Sequence, residues 1–290
     1  MTPEPGIYPD IPMTEYLAWR AASNSGLGRI LRSPAHYRAY VETDQPDTAA
    51  FRLGRAVHMA VLQPELFPQH FVQEPDTSEG EFATYANPRA TKLYRELRAA
   101  LEMTGKDILT MPEWWDVEGM TAAVLAHPRA SKLIRTTGAA ELSVVADDPA
   151  TGVRCKTRLD WHTPSTAGGA IVDLKTTPNA SPGEFERAIF RYGYHRQGAL
   201  YLRAAREAGL PAAHFVIIAV EKEPPYGVIL YRLTEEAIRL GEVQIDYALA
   251  LYKHCKDTGE WPGYTTDVVD IGVPRWADAA VERDLEEVAI

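Results

Sequence analysis

The sequence predicts an α/β fold of the mixed α+β kind: a central β-sheet flanked by helices, with an inserted helical layer. Three observations carry this expectation. Residues 154–161 and 170–177 alternate polar and apolar side chains with period two, and a short glycine-bearing loop joins them, as in a hairpin. Residues 212–220 are an almost unbroken apolar run, which a strand covered on both faces requires. Long helical patterns occupy 49–62, 182–209 and 234–256.

The bulk properties narrow the classes. The chain has 290 residues, 46% hydrophobic and 24% charged, ordinary values for a soluble globular protein. No stretch approaches the ~18 apolar residues of a membrane-spanning helix. Met1-Thr-Pro-Glu-Pro lacks the basic start and apolar core of a signal peptide, so a cytoplasmic location is expected. Cys155 and Cys255 are too few for a disulfide framework or for a four-cysteine zinc or iron–sulfur site, and both are expected to be reduced. The net charge is −10, but nine acidic residues against Arg275 and Arg283 put −7 of it in 257–290. Basic groups remain at Arg29, Arg32, Arg38, Arg52, Arg55, Arg154, Lys156 and Arg158 and along 187–206, so charge alone neither supports nor excludes DNA.

Taken in order, residues 1–22 read as an irregular lead-in with prolines at 3, 5, 9 and 12. Ser23-Asn-Ser25 reads as the N-cap of a helix through Leu27, Ile30 and Leu31, and Ser33-Pro34 starts a second. Serines at a helix start are first of all caps, although such starts also attract anions. In the helix 49–62, Gly54 and His58 lie one turn apart, and a lone histidine there is more often structural than a ligand. Residues 64–138 read as interrupted helices over 88–103 and 113–126, with Trp114 and Trp115 in the core. A strand over 141–146 leads through an Asp147–Gly152 turn into the hairpin.

In the hairpin, Cys155, Thr157, Leu159 and Trp161 should share one face, with Arg154, Lys156, Arg158 and Asp160 on the other. Ile171, Asp173 and Lys175 share a face of the second strand. A register setting 162 opposite 171 also sets Asp160 opposite Asp173, with Cβ atoms roughly 4.5–5.5 Å apart. Two carboxylates that close repel unless a cation lies between them, and a divalent metal is the natural guest. Residues 182–209 read as one long helix on which Gln197 and Tyr201 stand one turn apart, with Arg196 among its basic residues. Thr234 caps a last helix to about Lys256, and 261–290 form an acidic extension.

Several stretches together carry a resemblance. They are Ser25-Gly-Leu with Ser33-Pro-Ala-His-Tyr37, Gly54-Arg-Ala-Val-His58 with Leu62-Gln-Pro-Glu-Leu-Phe67, Arg158-Leu-Asp160, Val172-Asp-Leu-Lys-Thr-Thr177 and Tyr194-His-Arg-Gln197-Gly-Ala-Leu-Tyr201. Over roughly residues 7–255 the pattern resembles the PD-(D/E)XK nuclease superfamily. Within it, the pattern is most similar to the exodeoxyribonuclease VIII (RecE-like) group of phage and prophage exonucleases.

The resemblance implies a restriction-endonuclease-like core in a single nuclease domain over 1–290. Its parts would be a helical lead-in at 1–48, a helical insertion at 64–138, the catalytic core at 139–256 and an acidic extension at 257–290. It implies hydrolysis of linear double-stranded DNA, 5′ to 3′, to leave single-stranded tails for recombination. Asp160, Asp173 and Lys175 would be catalytic, with Glu141 at the place of a further acidic residue. His58, Asp160, Asp173 and the Leu174 carbonyl would hold Mg²⁺, for which Mn²⁺ can substitute, and no iron–sulfur cluster is expected. Gln197, Tyr201, Arg196, Ser25 and Arg55 would contact DNA, with Ser25 near a 5′-phosphate. A homo-oligomeric ring and a single-strand annealing partner belong to the same picture, and no membrane does. Two rival readings are a non-catalytic DNA-end or protein-binding module of the same fold and a restriction-type endonuclease.

Overall fold

The computed structural model describes residues 2–43, 47–164, 168–274 and 276–288, the side chains of 280 and 284–288 excepted. Of the acidic tail, Arg275 and the side chains of Asp284, Glu286 and Glu287 therefore lie outside the described residues. The lead-in is not irregular throughout: it holds a short strand, β1 (Gly6–Tyr8), and a short helix, α1 (Met13–Ala18). Helices α2 (Asn24–Ile30) and α3 (Pro34–Glu42) start at serines, whose Oγ atoms accept from the Gly26 and His36 N–H groups. Helix α4 (Ala49–Leu62) matches the expected span and is capped by Thr48.

The stretch 64–138 contains α5 (Phe67–His70), β2 (Phe71–Gln73), α6 (Lys92–Glu102), β3 (Asp107–Leu109), α7 (Met111–Ala126) and α8 (Pro128–Arg135). The parallel pair β2–β3 was not expected; its three-residue strands are too short for a periodic signal. A capping box between Thr110 and Glu113 starts α7. Trp114 packs on Phe67, while Trp115, expected in the core, is exposed.

The rest of the chain is β4 (Ala139–Asp147), β5 (Arg154–Thr163), β6 (Ala170–Thr177), α9 (Pro182–Tyr192), α10 (Tyr194–Glu207), β7 (His214–Glu221), β8 (Val228–Arg232), α11 (Glu235–Thr258) and α12 (Ala277–Val288). The expected single helix over 182–209 is two helices. Gly193 divides them with a left-handed φ of 71°, which glycine adopts without a Cβ penalty.

Six strands form one mixed sheet in the order β1-β4-β5-β6-β7-β8, in which only β6 and β7 run parallel. Val172, Leu174, Ile218 and Val220 pack on Val57 and Val61 of α4 and on Met120 and Val124 of α7. On the other face Ile171, Phe215 and Ile217 meet Phe185 of α9 and Ala204 and Ala205 of α10. Strand β7 is thus covered on both sides, as its continuous apolar run predicts. Each fully buried Leu, Ile or Phe contributes about 1.5–3 kcal/mol, so the two layers flanking the sheet hold it together. Because α7 lies in the main core, part of the stretch read as an insertion is integral to that core. Among the described residues no helix is long and apolar enough to cross a membrane.

Candidate active site

Strands β5 and β6 pair with His162 opposite Ile171, the expected register, and with Trp161 opposite Val172. Asp160 and Asp173 come next, and there the ladder stops. The Leu174 N–H donates instead to Asp160 Oδ2 at 2.8 Å. On its other side β5 pairs Trp161 with Ala140 and Leu159 with Leu142, leaving Glu141 and Asp160 facing each other without a bridge. Glu141 has φ 51°, a left-handed conformation that costs a residue with a Cβ roughly 1–2 kcal/mol.

Across this interruption the side-chain alternation changes phase. Ala140 and Trp161 pack with the α4 layer, whereas Leu142 and Leu159 pack with the α10 layer. The face expected to run from Cys155 to Trp161 therefore ends at Leu159. Irregularities of this kind re-aim side chains beside functional sites, and here they turn two carboxylates towards α4.

His58 reaches this place from α4. Its Nε2 lies 2.6 Å from the Leu174 carbonyl oxygen and its Nδ1 3.5 Å from Asp160 Oδ2. A neutral ring donating from Nε2 to that carbonyl leaves the Nδ1 lone pair facing the carboxylates. One donor atom from each of His58, Glu141 and Asp160 lies within 4.8 Å of the others, and no other such group of three occurs among the described residues. One imidazole nitrogen and two carboxylates form a donor set that suits Mn²⁺ and accepts Mg²⁺. Burial pushes the Asp160 carboxyl up to about 7; Asp173 and Glu141 reinforce the rise, and His58 and Lys175 oppose it.

Asp173 is placed differently from the expectation. Its buried carboxylate accepts from Gln197 Nε2 at 2.6 Å and pairs with Lys175 Nζ at 2.7 Å, outside the three-residue donor group. Burial disfavours the charged Lys175 ammonium, but the Asp173 and Asp160 carboxylates outweigh it and hold its pKa above the usual lysine range. The Leu174 carbonyl, expected as a metal ligand, is engaged by His58.

The expected DNA contacts are mostly engaged within the protein. Gln197 is buried on Asp173, and half-buried Tyr201 packs edge-on against Phe215 with its pKa raised by burial. Arg196 bridges α10 to Asn24 and Gln244, and burial pulls its pKa down. Arg55 is exposed but pairs with Asp47 at 2.6 Å and Asp107 at 3.0 Å. Ser25 is exposed within a seven-residue helix whose cap is Ser23.

Sequence reasoning missed Arg158, whose Nε donates to Glu141 Oε2 at 2.6 Å, and Tyr194, whose ring centre is 5.2 Å from Lys175 Nζ. A signal for the first was present: three cations on one face of a central strand must find partners within the fold.

A family profile described as "PDDEXK-like domain of unknown function (DUF3799)" matches residues 23–270. A crystal structure from Eubacterium rectale named "Putative exonuclease" superposes with a TM-score of 0.57 at 14% identity, over 94% of this chain and 99% of that one. A second crystal structure, of SSO0001, has a TM-score of 0.30 at 14% identity, over 68% of this chain and 85% of that one. No curated protein matches the sequence.

Proposed function

Since the chain belongs to the PDDEXK-like family DUF3799, we propose that it is a divalent-metal-dependent exonuclease that hydrolyses linear double-stranded DNA from 5′ to 3′. The observation that carries this reading is the His58–Glu141–Asp160 donor group standing across a break in the sheet from the Asp173–Lys175 ion pair. The motif resemblance to exodeoxyribonuclease VIII supports the exonuclease part. It also supports a single domain with its catalytic core at 139–256, a ring-shaped oligomer and an annealing partner in recombination.

Glu141, Asp160 and His58 would hold Mg²⁺ or Mn²⁺, which supplies charge neutralisation at the phosphate and a more acidic water. The protein's own groups prepare the rest. Lys175, kept charged by Asp173, orients the attacking water and offsets negative charge developing on the phosphate oxygens. Gln197 fixes the Asp173 carboxylate, so the lysine has one preferred position. The Leu174 N–H and carbonyl clamp Asp160 and His58 from one peptide segment.

The test compares linear with circular duplex DNA in Mg²⁺ or Mn²⁺. Degradation of the linear form alone is expected, with a loss of roughly a hundredfold or more in Lys175→Ala. Nicking of the circle would favour the endonuclease reading. Tight binding without cleavage by the unmodified protein would favour the non-catalytic one.

A further inference from the structure

The last turn of α9 leaves two aromatic side chains in water: Phe190 is 64% exposed and Tyr192 57%. Both are held in place from behind. Phe190 stacks on buried His195, with ring centres 5.6 Å apart and planes 11° apart. That imidazole lies within hydrogen-bond distance of the Ile189 carbonyl and of Gln244 Oε1, both at 3.1 Å. The ring centre of Tyr192 is 5.8 Å from that of Tyr194, and the Tyr194 ring centre is 5.2 Å from Lys175 Nζ. Rings therefore lead without a gap from the candidate catalytic ammonium to solvent. Arg191, between them in sequence, is itself exposed, with its guanidinium 5.7 Å from the Tyr192 ring centre and no carboxylate partner among the described residues.

We propose that Phe190, Arg191 and Tyr192 form a stacking platform for unpaired bases of single-stranded DNA running to the Lys175 side of the centre. Aromatic faces take bases of any sequence, and a guanidinium beside them takes the phosphate between two bases. A duplex hides its base faces within its own stack, so the platform discriminates in favour of an unpaired strand. Gly193 supports the arrangement, because its left-handed turn ends α9 and sets Tyr192 beside Tyr194. The identity of the ligand as DNA rests on the nuclease reading, whereas the preference for unpaired over paired bases rests on the rings.

Binding in chelator separates the two, because no cleavage is needed. Fluorescence anisotropy of a labelled oligo(dT) of about 12 nucleotides and of a blunt duplex compares the intact chain with Phe190→Ala/Tyr192→Ala. The double variant should lose roughly tenfold or more in affinity for the single strand and much less for the duplex. Phe190→Trp/Tyr192→Trp should retain the affinity, and Trp115→Ala, an exposed aromatic on α7, should change neither. Equal losses on both substrates, or no loss with an unaltered melting curve, would overturn the platform. So would a changed oligomeric state by light scattering with DNA affinity intact, which would make the patch a contact between copies. If the intact chain cleaves no DNA with metal yet shows the selective loss, the platform stands and the nuclease reading falls.

Discussion

Burial alters the environment of Asp160, and its titration can be tested directly. Its carboxyl has a pKa of about 7 in the fold against 3.8 ordinarily, so the folded form binds the proton more tightly than the unfolded one. That contribution to stability is fully present below about pH 4 and is lost as the pH rises through 7. Asp160→Asn carries no such charge. In chelator it should gain stability relative to the unmodified protein between roughly pH 4 and 8, read from melting curves. A pH-independent difference would contradict the raised pKa. Gln197 distinguishes two roles. If it positions Asp173, Gln197→Ala should lower kcat roughly tenfold and Gln197→Glu, which adds a carboxylate at that spot, should lower it further, with KM for DNA little changed. A rise in KM alone would restore the strand contact that the sequence suggested.

At the scale of elements, the lead-in is tied to the site through β5. Lys156 is buried, and burial pulls its pKa down to about 8. Its Nζ donates to the Tyr16, Leu17 and Trp19 carbonyls at the end of α1, at 2.7, 3.2 and 2.8 Å. Arg158, two residues on, links the Ile11 carbonyl to Glu141 of the donor group. Lys156→Met would strand those carbonyls and should cost about 2–4 kcal/mol. Hydrogen exchange should then accelerate over residues 6–22 while α4, β6 and β7 stay protected; uniform acceleration would mean that the lead-in is not a separate docking unit.

For the whole molecule, ligand linkage gives the broadest check on the donor group. A divalent cation at 100 times its Kd stabilises the fold by about 2.7 kcal/mol, worth several degrees in Tm. Mn²⁺ at pH 8 should therefore raise Tm, much less so at pH 5 where Asp160 is protonated, and not at all in Asp160→Asn. A rise that persists in Asp160→Asn would place the cation elsewhere, with the acidic tail the first place to look.

Much of this was legible in the sequence because it rests on local physics. Period-two alternation and the Gly-bearing loop gave the hairpin and its 162–171 register, while the Ser23–Ser25 cap, proline at the first position after Ser33 and the Thr234 cap gave the starts of α2, α3 and α11. The helix break at Gly193 was less legible, since a lone glycine inside a helical pattern is common. Other features were decided only in three dimensions. The phase change on β4 coincides with a left-handed backbone angle at Glu141, which no residue-type preference for glutamate announces, and β5 changes phase opposite it at Asp160. The contact of His58 with Leu174, 116 residues away, and of Arg55 with Asp107, 52 residues away, depend on how layers pack. The sequence by itself determined which acids, which lysine and which histidine lie on which elements. Packing alone decided that Glu141 joins the donor group, that Gln197 and Lys175 take Asp173, and that Arg55 is neutralised, because each depends on the side chains that long-range contacts bring alongside.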